Sequence, residues 1–156
     1  MLGKLAKWLR IIGVSVLTNE DDENFDDKAL ELAKKTGAVL LTRDEDLYRR
    51  AVKRGVRAEF VPEDLDEALI YLSRKYGIDL RIDLNRTRCP LCNAPLRVVD
   101  THELSPQDVP EGVLRSYKFV LVCDRCGKCY WTGRHYRSML IRLKKLRGLA
   151  SGSANS

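Results

Sequence analysis

Four of the five cysteines in this 156-residue chain form two C-x-x-C pairs, a spacing that suits a tetrahedral metal site. Cys89 and Cys92 make the first pair, Cys123 and Cys126 make the second, and 30 residues separate the pairs. Each pair can form a tight turn that places two thiolates on one edge of a tetrahedron, as Zn²⁺ prefers. Four thiolates leave no position for water, so we predict a structural zinc ion, with iron as the less favoured occupant. Cys129 is predicted to be a spare thiol, that is, a cysteine that does not bind the metal.

The sequence around the cysteines favours zinc over disulfides. Asn93 and Gly127 directly follow the two pairs, and both tolerate the positive φ that such turns need. The N-terminus lacks the apolar stretch and cleavage site of a secretion signal, so we expect a cytoplasmic protein, in which disulfides are rare. No apolar run approaches the roughly 20 residues of a membrane span, so no membrane contact is predicted.

Carboxylates that could hold a catalytic metal follow a predicted strand. Asp44 and Asp46 come just after the apolar run 38–42, which we predict to be buried. Ligands of parallel α/β sheets bind at the carboxyl ends of strands, and Asp26 or Asp27, at the start of the preceding helix, could converge there. Grouped carboxylates bind Mg²⁺ or Mn²⁺, which activate water for phosphodiester cleavage. An equally good interpretation is that Asp44 caps the next helix.

The C-terminal segment combines cations with aromatic side chains. Residues 134–147 contain six Lys or Arg and no acid, and Tyr130, Trp131 and Tyr136 lie beside or within them. Uncompensated cations suit a phosphate backbone and aromatic rings suit unstacked bases, so we predict an RNA-binding surface. Its residues are Trp131, Arg134, His135, Arg137, Arg142, Lys144 and Lys145. The alternative is that the cations lie on a solvated helix face and that the aromatic rings pack on the predicted zinc-binding part of the chain.

The charge of the chain is divided between its two halves. The formal net charge is +6, but residues 1–84 contribute −2 and residues 85–156 contribute +8. This division favours metal or acid/base chemistry in the first half and phosphate binding in the second. With 44% hydrophobic residues the chain can bury a core, which excludes a disordered protein. The 32% charged residues and the single Gln favour an origin in a hot environment.

Apolar periodicity predicts the elements that must position these residues. Over residues 1–77 helical stripes alternate with short apolar runs, which indicates the order α-β-α-β-α-β-α and a parallel, three-layer α/β domain. Beyond this domain, cysteines, prolines and short strands precede a basic helix. We therefore predict an α/β domain at 1–84, a zinc ribbon with a C-terminal basic helix at 85–147, and a disordered tail at 148–156.

Five segments of the chain together resemble a known family. They are MLGKLAKWLRIIG, FDDKALELA, VLLTRDEDLYRRA, RCPLCNAPL and CGKCYWTGRHYRSM. Over about residues 1–146 the chain resembles the Mut-seven C-terminal RNase domain family, a PIN-like nuclease domain fused to a zinc ribbon. The resemblance implies a PIN-like fold and a ribonuclease dependent on Mg²⁺ or Mn²⁺. Carried over by position, it implies catalytic acids at Asp27, Asp44 and Asp46 and zinc ligands at Cys89, Cys92, Cys123 and Cys126.

The chain departs from this family at its start. Members normally place a strand ending in an aspartate before the M-L-G-K-L-A segment, whose methionine is Met1 here. We therefore expect the first strand and one metal ligand to be missing, through a truncated start or, less favoured, a genuine loss. An incomplete carboxylate cluster weakens the binding of a catalytic metal. The alternatives to a ribonuclease are thus a non-catalytic RNA-binding protein and a scaffold for a protein partner.

Overall fold

The computed structural model describes residues 2–18 and 27–152, which contain two sheets and six α-helices. The N-terminal part alternates helices with strands: α1 (Leu2–Ile11), β1 (Val16–Thr18), α2 (Asp27–Thr36), β2 (Val39–Thr42), α3 (Glu45–Lys53), β3 (Ala58–Phe60) and α4 (Leu65–Tyr76). The C-terminal part contains β4 (Arg97–Asp100), a 3-10 turn (Thr101–Glu103), α5 (Glu111–Ser116), β5 (Phe119–Val122), β6 (Cys129–Tyr130) and α6 (Arg134–Gly152). Across the described part of the chain, every helix is too short or too polar to cross a membrane.

The first sheet is parallel, with the strand order β1-β2-β3. Val16 pairs with Val39 and Leu40 pairs with Ala58, so β2 lies between the other two strands. All four residues of β2 are buried, because helices cover a central parallel strand on both faces. This burial explains the continuous apolar run in the sequence. The predicted α/β class and its three parallel strands are confirmed.

Helices cover both faces of the parallel sheet. On one face Leu41 packs in a large core with side chains from α1, α4 and α6. On the other face Leu40 packs in a smaller core with side chains from α2 and α3. Successive residues of a strand point to opposite faces, so β2 contributes to both cores. The described residues therefore form the three layers that the periodicity predicts.

The second sheet is small and antiparallel, with the strand order β4-β5-β6. Val99 of β4 pairs with Val120 of β5, and both contribute to a core of three buried valines. The third is Val113, from α5, a helix that lies outside the predicted elements. A core of this size is too small to stabilise a domain alone, so this module needs further support.

The C-terminal helix α6 differs from the prediction in its length and its packing. It continues to Gly152, so the predicted disordered tail is wrong for residues 148–152, while residues 153–156 lie outside the described part. Leu143 and Leu146 are buried in the core that α1 and α4 share. Beyond these leucines, Arg74 of α4 donates from Nη2 to the oxygen of Ala150 at 3.3 Å, so the end of the helix also contacts the α/β domain. The segments 1–84 and 85–147, predicted as separate domains, therefore share one core.

Candidate functional site

The thiols of the two C-x-x-C pairs meet in one group. The Sγ atoms of Cys89, Cys92, Cys123 and Cys126 all lie within 4.8 Å of one another, and none forms a disulfide. The Sγ atoms of Cys89 and Cys126 are 3.7 Å apart, and those of Cys92 and Cys123 are 3.2 Å apart. Zn–S bonds of about 2.3 Å in a tetrahedron separate the sulfurs by ~3.8 Å. The group therefore has the dimensions of a four-thiolate zinc site.

Two matching turns of backbone position these thiols. In the first turn the backbone N–H of Asn93 donates to the oxygen of Cys89 at 2.9 Å, and in the second Gly127 donates to Cys123 at 2.9 Å. Asn93 has φ of 68° and Gly127 has φ of 77°. The left-handed conformation expected from the sequence is thus confirmed at both positions, where Asn and Gly are the residues that tolerate it best.

The proton affinities of the thiols are consistent with a site for a metal cation. Burial alone would raise the pKa of Cys89, but hydrogen bonds from the Tyr130 hydroxyl and from backbone N–H groups lower it to about 7. Burial raises the pKa of Cys92 to about 12, and the neighbouring thiols contribute to the increase. Four thiolates this close need a cation to become ionised together. Zinc fits this donor set, which would hold it with no position open to water.

Cys129 stands apart from the four clustered cysteines. Its Sγ atom is 4.0 Å from the backbone oxygen of Asp108, and it is not a member of the metal-ligand group in the described residues. Burial raises the pKa of its thiol, so this side chain stays protonated near neutral pH. Its position agrees with the prediction of a spare thiol.

The first cysteine turn is attached to the edge of the parallel sheet. The side-chain oxygen of Asn93 accepts a hydrogen bond from the Val16 backbone N–H at 3.2 Å, and its Nδ2 donates to Ser15 Oγ at 3.0 Å. Arg10, which is buried in α1, donates from Nη2 to the oxygen of Val16 at 3.1 Å and from Nη1 to the oxygen of Pro90 at 2.9 Å. These bonds join strand β1 to the cysteine module, the part of the chain that holds the four clustered cysteines.

Asp44 lies at the carboxyl end of β2, as expected, and it caps α3. Its Oδ1 atom accepts hydrogen bonds from the backbone N–H groups of Asp46 at 2.9 Å and Leu47 at 3.2 Å. The Asp44 N–H in turn donates to Thr42 Oγ1 at 3.0 Å. The capping interpretation of Asp44 is therefore correct. Both capping hydrogen bonds are accepted by Oδ1, so Oδ2 of Asp44 takes no part in capping.

Asp27 opens α2, and its carboxylate is paired with arginines. It lies 2.9 Å from the guanidinium of Arg54, and Arg50 approaches to 4.0 Å. Among residues 2–18 and 27–152, the four cysteines are the one group of three or more metal-ligating side chains. The structure thus does not bring Asp27, Asp44 and Asp46 together as a metal site. Asp26 lies outside the described residues.

The residues predicted to bind RNA divide into two groups. Six of them are exposed, Trp131 in the turn between β6 and α6 and the others on α6: Arg134, His135, Arg137, Lys144 and Lys145. Arg142 instead forms an ion pair with Asp66 of α4 at 2.7 Å, and its guanidinium lies 5.5 Å from the centre of the Trp8 ring. Arg142 therefore attaches α6 to the α/β domain, and its role in RNA binding stays a prediction.

Two buried charged residues were missing from the predictions. Arg10 joins α1, β1 and the first cysteine turn, and Glu59 of β3 binds side chains of α4. The available signal was weak: Arg10 stands between Leu9 and Ile11 in a predicted helix, and Glu59 interrupts a short apolar run. Charged side chains are rarely buried without a partner, and the sequence alone does not show which residue that partner is.

Comparison with family models links the fold and the cysteine site to known sequences. A model described as the Mut7-C RNAse domain matches residues 1–143. Comparisons with curated proteins and with solved structures found no match. The matched range contains both sheets, all four clustered cysteines and Asp27, Asp44 and Asp46. It covers well over half of the 156 residues. The chain therefore belongs to the Mut7-C RNAse domain family.

Proposed function

We propose that this protein hydrolyses phosphodiester bonds of RNA with the help of Mg²⁺ or Mn²⁺, on a PIN-like α/β domain. The observation that carries the proposal is membership of an RNase domain family over residues 1–143. The position of Asp44 and Asp46 supports the proposal. Both residues follow the central strand β2 at its carboxyl end, and ligands of parallel sheets bind at the carboxyl ends of the strands.

The capping role of Asp44 is compatible with a role in metal binding. Oδ1 accepts both backbone hydrogen bonds, so the cap orients the carboxylate while Oδ2 remains available to a cation. Asp46 is exposed on the first turn of α3, two residues after Asp44. A bound divalent ion would supply activated water and neutralise the leaving oxygen. Asp27 would join the site only by releasing Arg54, which holds it at 2.9 Å.

The test compares Asp44→Asn with Asp64→Asn in the zinc-loaded chain. Asn is as good an N-cap as Asp, so Asp44→Asn removes the charge and keeps the helix start. Asp64 caps α4 by accepting from the Glu67 backbone N–H at 2.9 Å, which makes it a matched control. We expect Asp44→Asn to slow RNA cleavage on the order of 100-fold, the cost of losing one stabilising charge in an active site.

The measurement is the cleavage rate of a labelled RNA with added Mg²⁺ or Mn²⁺ and without either. Zinc is kept bound, since a strong chelator would also remove it from the cysteines. Asp64→Asn should cleave at the rate of the parent protein. Equal rates for the two variants, or no metal-dependent cleavage by the parent, would contradict the proposal.

A second candidate function is RNA binding without catalysis. It is favoured by the absence of a carboxylate cluster among residues 2–18 and 27–152, and by exposed cations on α6. In this case salt-sensitive RNA binding persists in Asp44→Asn and needs no divalent ion. If substituting Gln for Lys144 and Lys145 leaves RNA affinity unchanged, a scaffold for a protein partner becomes the better description.

A further inference from the structure

A cavity of about 260 Å³ lies where the cysteine module, α1 and α6 meet. Its walls are mainly apolar, with Ile11, Leu121 and Met139 among them. Trp131 and Tyr136 add aromatic rings, and none of the described residues that line the cavity is Asp or Glu. Small-molecule cavities usually measure about 300–1,000 Å³, so this one suits a single small ring system.

The indole of Trp131 packs close to Gly133 and remains accessible. Its side chain is 37% exposed, although it belongs to the cavity wall. Gly133 leaves room for it: a Cβ atom there would be 3.2 Å from Cδ1 of Trp131 and 3.2 Å from the Tyr117 hydroxyl. Contacts this short would force these neighbours to shift slightly. The glycine therefore suits the observed position of an exposed aromatic ring on which a flat ligand can stack.

Basic side chains also line this cavity. Arg134 and His135 are exposed at its rim, and Arg88 is fixed by donating from Nη1 to the oxygen of Asn93 at 2.8 Å. Within residues 2–18 and 27–152, Arg134 takes part in no ion pair. A ligand with a flat ring can stack on the aromatic side chains of this cavity, and a negative charge next to that ring can pair with the arginines.

We propose that this cavity holds one unpaired nucleobase of an RNA strand, stacked on Trp131, with a phosphate of that nucleotide at Arg134. The proposal rests on the proposed function for the identity of the polymer as RNA. It deepens that function by selecting single-stranded RNA as the substrate class. Bases in a duplex are stacked and paired, so they cannot enter a cavity between two modules.

The test measures binding of a short single-stranded RNA and of a matched duplex to the zinc-loaded full chain. Mg²⁺ and Mn²⁺ are omitted, so the result does not depend on cleavage and is distinct from the test of catalysis. Trp131→Ala should weaken single-strand binding by about 5- to 150-fold, the range for loss of one stacked base. Duplex binding should change by less than about twofold, because it relies on phosphate contacts.

Two further variants separate stacking from a general loss of structure. Trp131→Phe keeps an aromatic ring, so it should retain single-strand affinity within about threefold. Phe60→Ala removes another aromatic ring, 44% exposed on β3 and outside the cavity, and should change nothing. Equal single-strand affinity for Trp131→Ala and the parent, or equal losses with single strand and duplex, would overturn the proposal.

Arg134→Gln provides an independent measurement, should Trp131→Ala fail to fold. The side chain is exposed, so the substitution leaves the core intact. Loss of one phosphate contact reduces the salt dependence of single-strand binding. The slope of the logarithm of the binding constant against the logarithm of the salt concentration should become smaller in magnitude by about 0.7. Bound zinc and the circular dichroism of each variant are checked first. An unchanged slope in a folded Arg134→Gln protein would count against the phosphate position.

Discussion

Glu59 shows how a single buried carboxylate fastens a helix to a strand. It is 4% exposed on β3, and it receives hydrogen bonds from the hydroxyls of Tyr71, at 3.1 Å, and Tyr76. Lys75 lies 2.6 Å away. Burial acts to raise the pKa of Glu59, but these donors outweigh it and lower the pKa below its ordinary 4.5. Burial and the Glu59 contact raise the pKa of Tyr76 to about 12, so its hydroxyl remains a donor.

Glu59→Gln should lower the free energy of unfolding by about 1–3 kcal/mol at pH 7, because buried donors lose a charged acceptor. A carboxyl whose pKa is lowered by folding stabilises the protein above its unfolded pKa. That contribution disappears as pH falls below about 4.5 towards the folded pKa. The difference between variant and parent should therefore shrink on acidification. Urea unfolding of both proteins at several pH values measures it.

Glu63→Gln is the matched control for this pair of measurements. Glu63 is 81% exposed and contacts Arg43 at 3.2 Å, so its loss should cost less than about 0.5 kcal/mol. Zinc release at low pH affects all three proteins alike and cancels in the comparison. A difference for Glu59→Gln that stays constant from pH 7 to pH 4 would contradict the role given to its charge.

At the scale of elements, α6 has two faces with different tasks. Met139, Leu143 and Leu146 are buried in the large core, and Arg147 donates to the oxygen of Leu80 at 2.7 Å. The other face carries Lys144 and Lys145 in solvent. The basic residues of the segment are thus divided: Lys144 and Lys145 face solvent, whereas Arg142 and Arg147 join the leucines in holding the helix against the α/β domain.

Leu143→Ala should reduce the free energy of unfolding by about 2–5 kcal/mol, the cost of a cavity in a tightly packed core. Leu143 is 0% exposed, whereas Ile141, two residues earlier on the same helix, is 74% exposed. Ile141→Ala should therefore change stability by less than about 0.5 kcal/mol. Urea unfolding with zinc held constant compares them. Similar losses in the two variants would mean that α6 is not part of the core.

The elements that could be predicted from the sequence are those specified by neighbouring residues. The run at 38–42 became the buried strand β2, and Asn93 and Gly127 adopted positive φ, because short-range sterics decide both. The position of α6 could not be derived, because it depends on contacts such as Arg142 with Asp66 that are distant in sequence. Asp44 remained ambiguous because the same residue type serves as a helix cap and as a metal ligand.

For the molecule as a whole, the cysteine module and the parallel sheet form one connected structure. Arg88 donates its backbone N–H to the oxygen of Arg10 at 2.8 Å, and Thr87 Oγ1 donates to the oxygen of Ile11 at 2.6 Å. Asn93 adds its bond to Val16. These contacts all come from the segment that leads into and through the first cysteine turn. A metal that shapes this turn therefore also supports the edge of the α/β domain.

Removal of zinc should consequently loosen strand β1 as well as the cysteine module. A four-thiolate module of this size loses its fold with its metal, and the acceptor for the Val16 N–H is lost with it. Hydrogen exchange of the Val16 amide should accelerate by more than about tenfold on chelation, since a protected amide becomes exposed. The Leu47 amide, bound to Asp44 at 3.2 Å on the far helix layer, serves as the internal control.

Asn93→Gly isolates the side-chain link from the metal itself. Glycine adopts the φ of 68° at least as readily as Asn, so the cysteine turn and its zinc should be retained. The Val16 amide should nevertheless exchange faster, because the Asn93 oxygen that accepts from it is gone. Val16 protection that survives both chelation and Asn93→Gly would show that the two modules are independent. Faster exchange with zinc still bound would establish the Asn93 side chain as one link through which the cysteine turn stabilises β1.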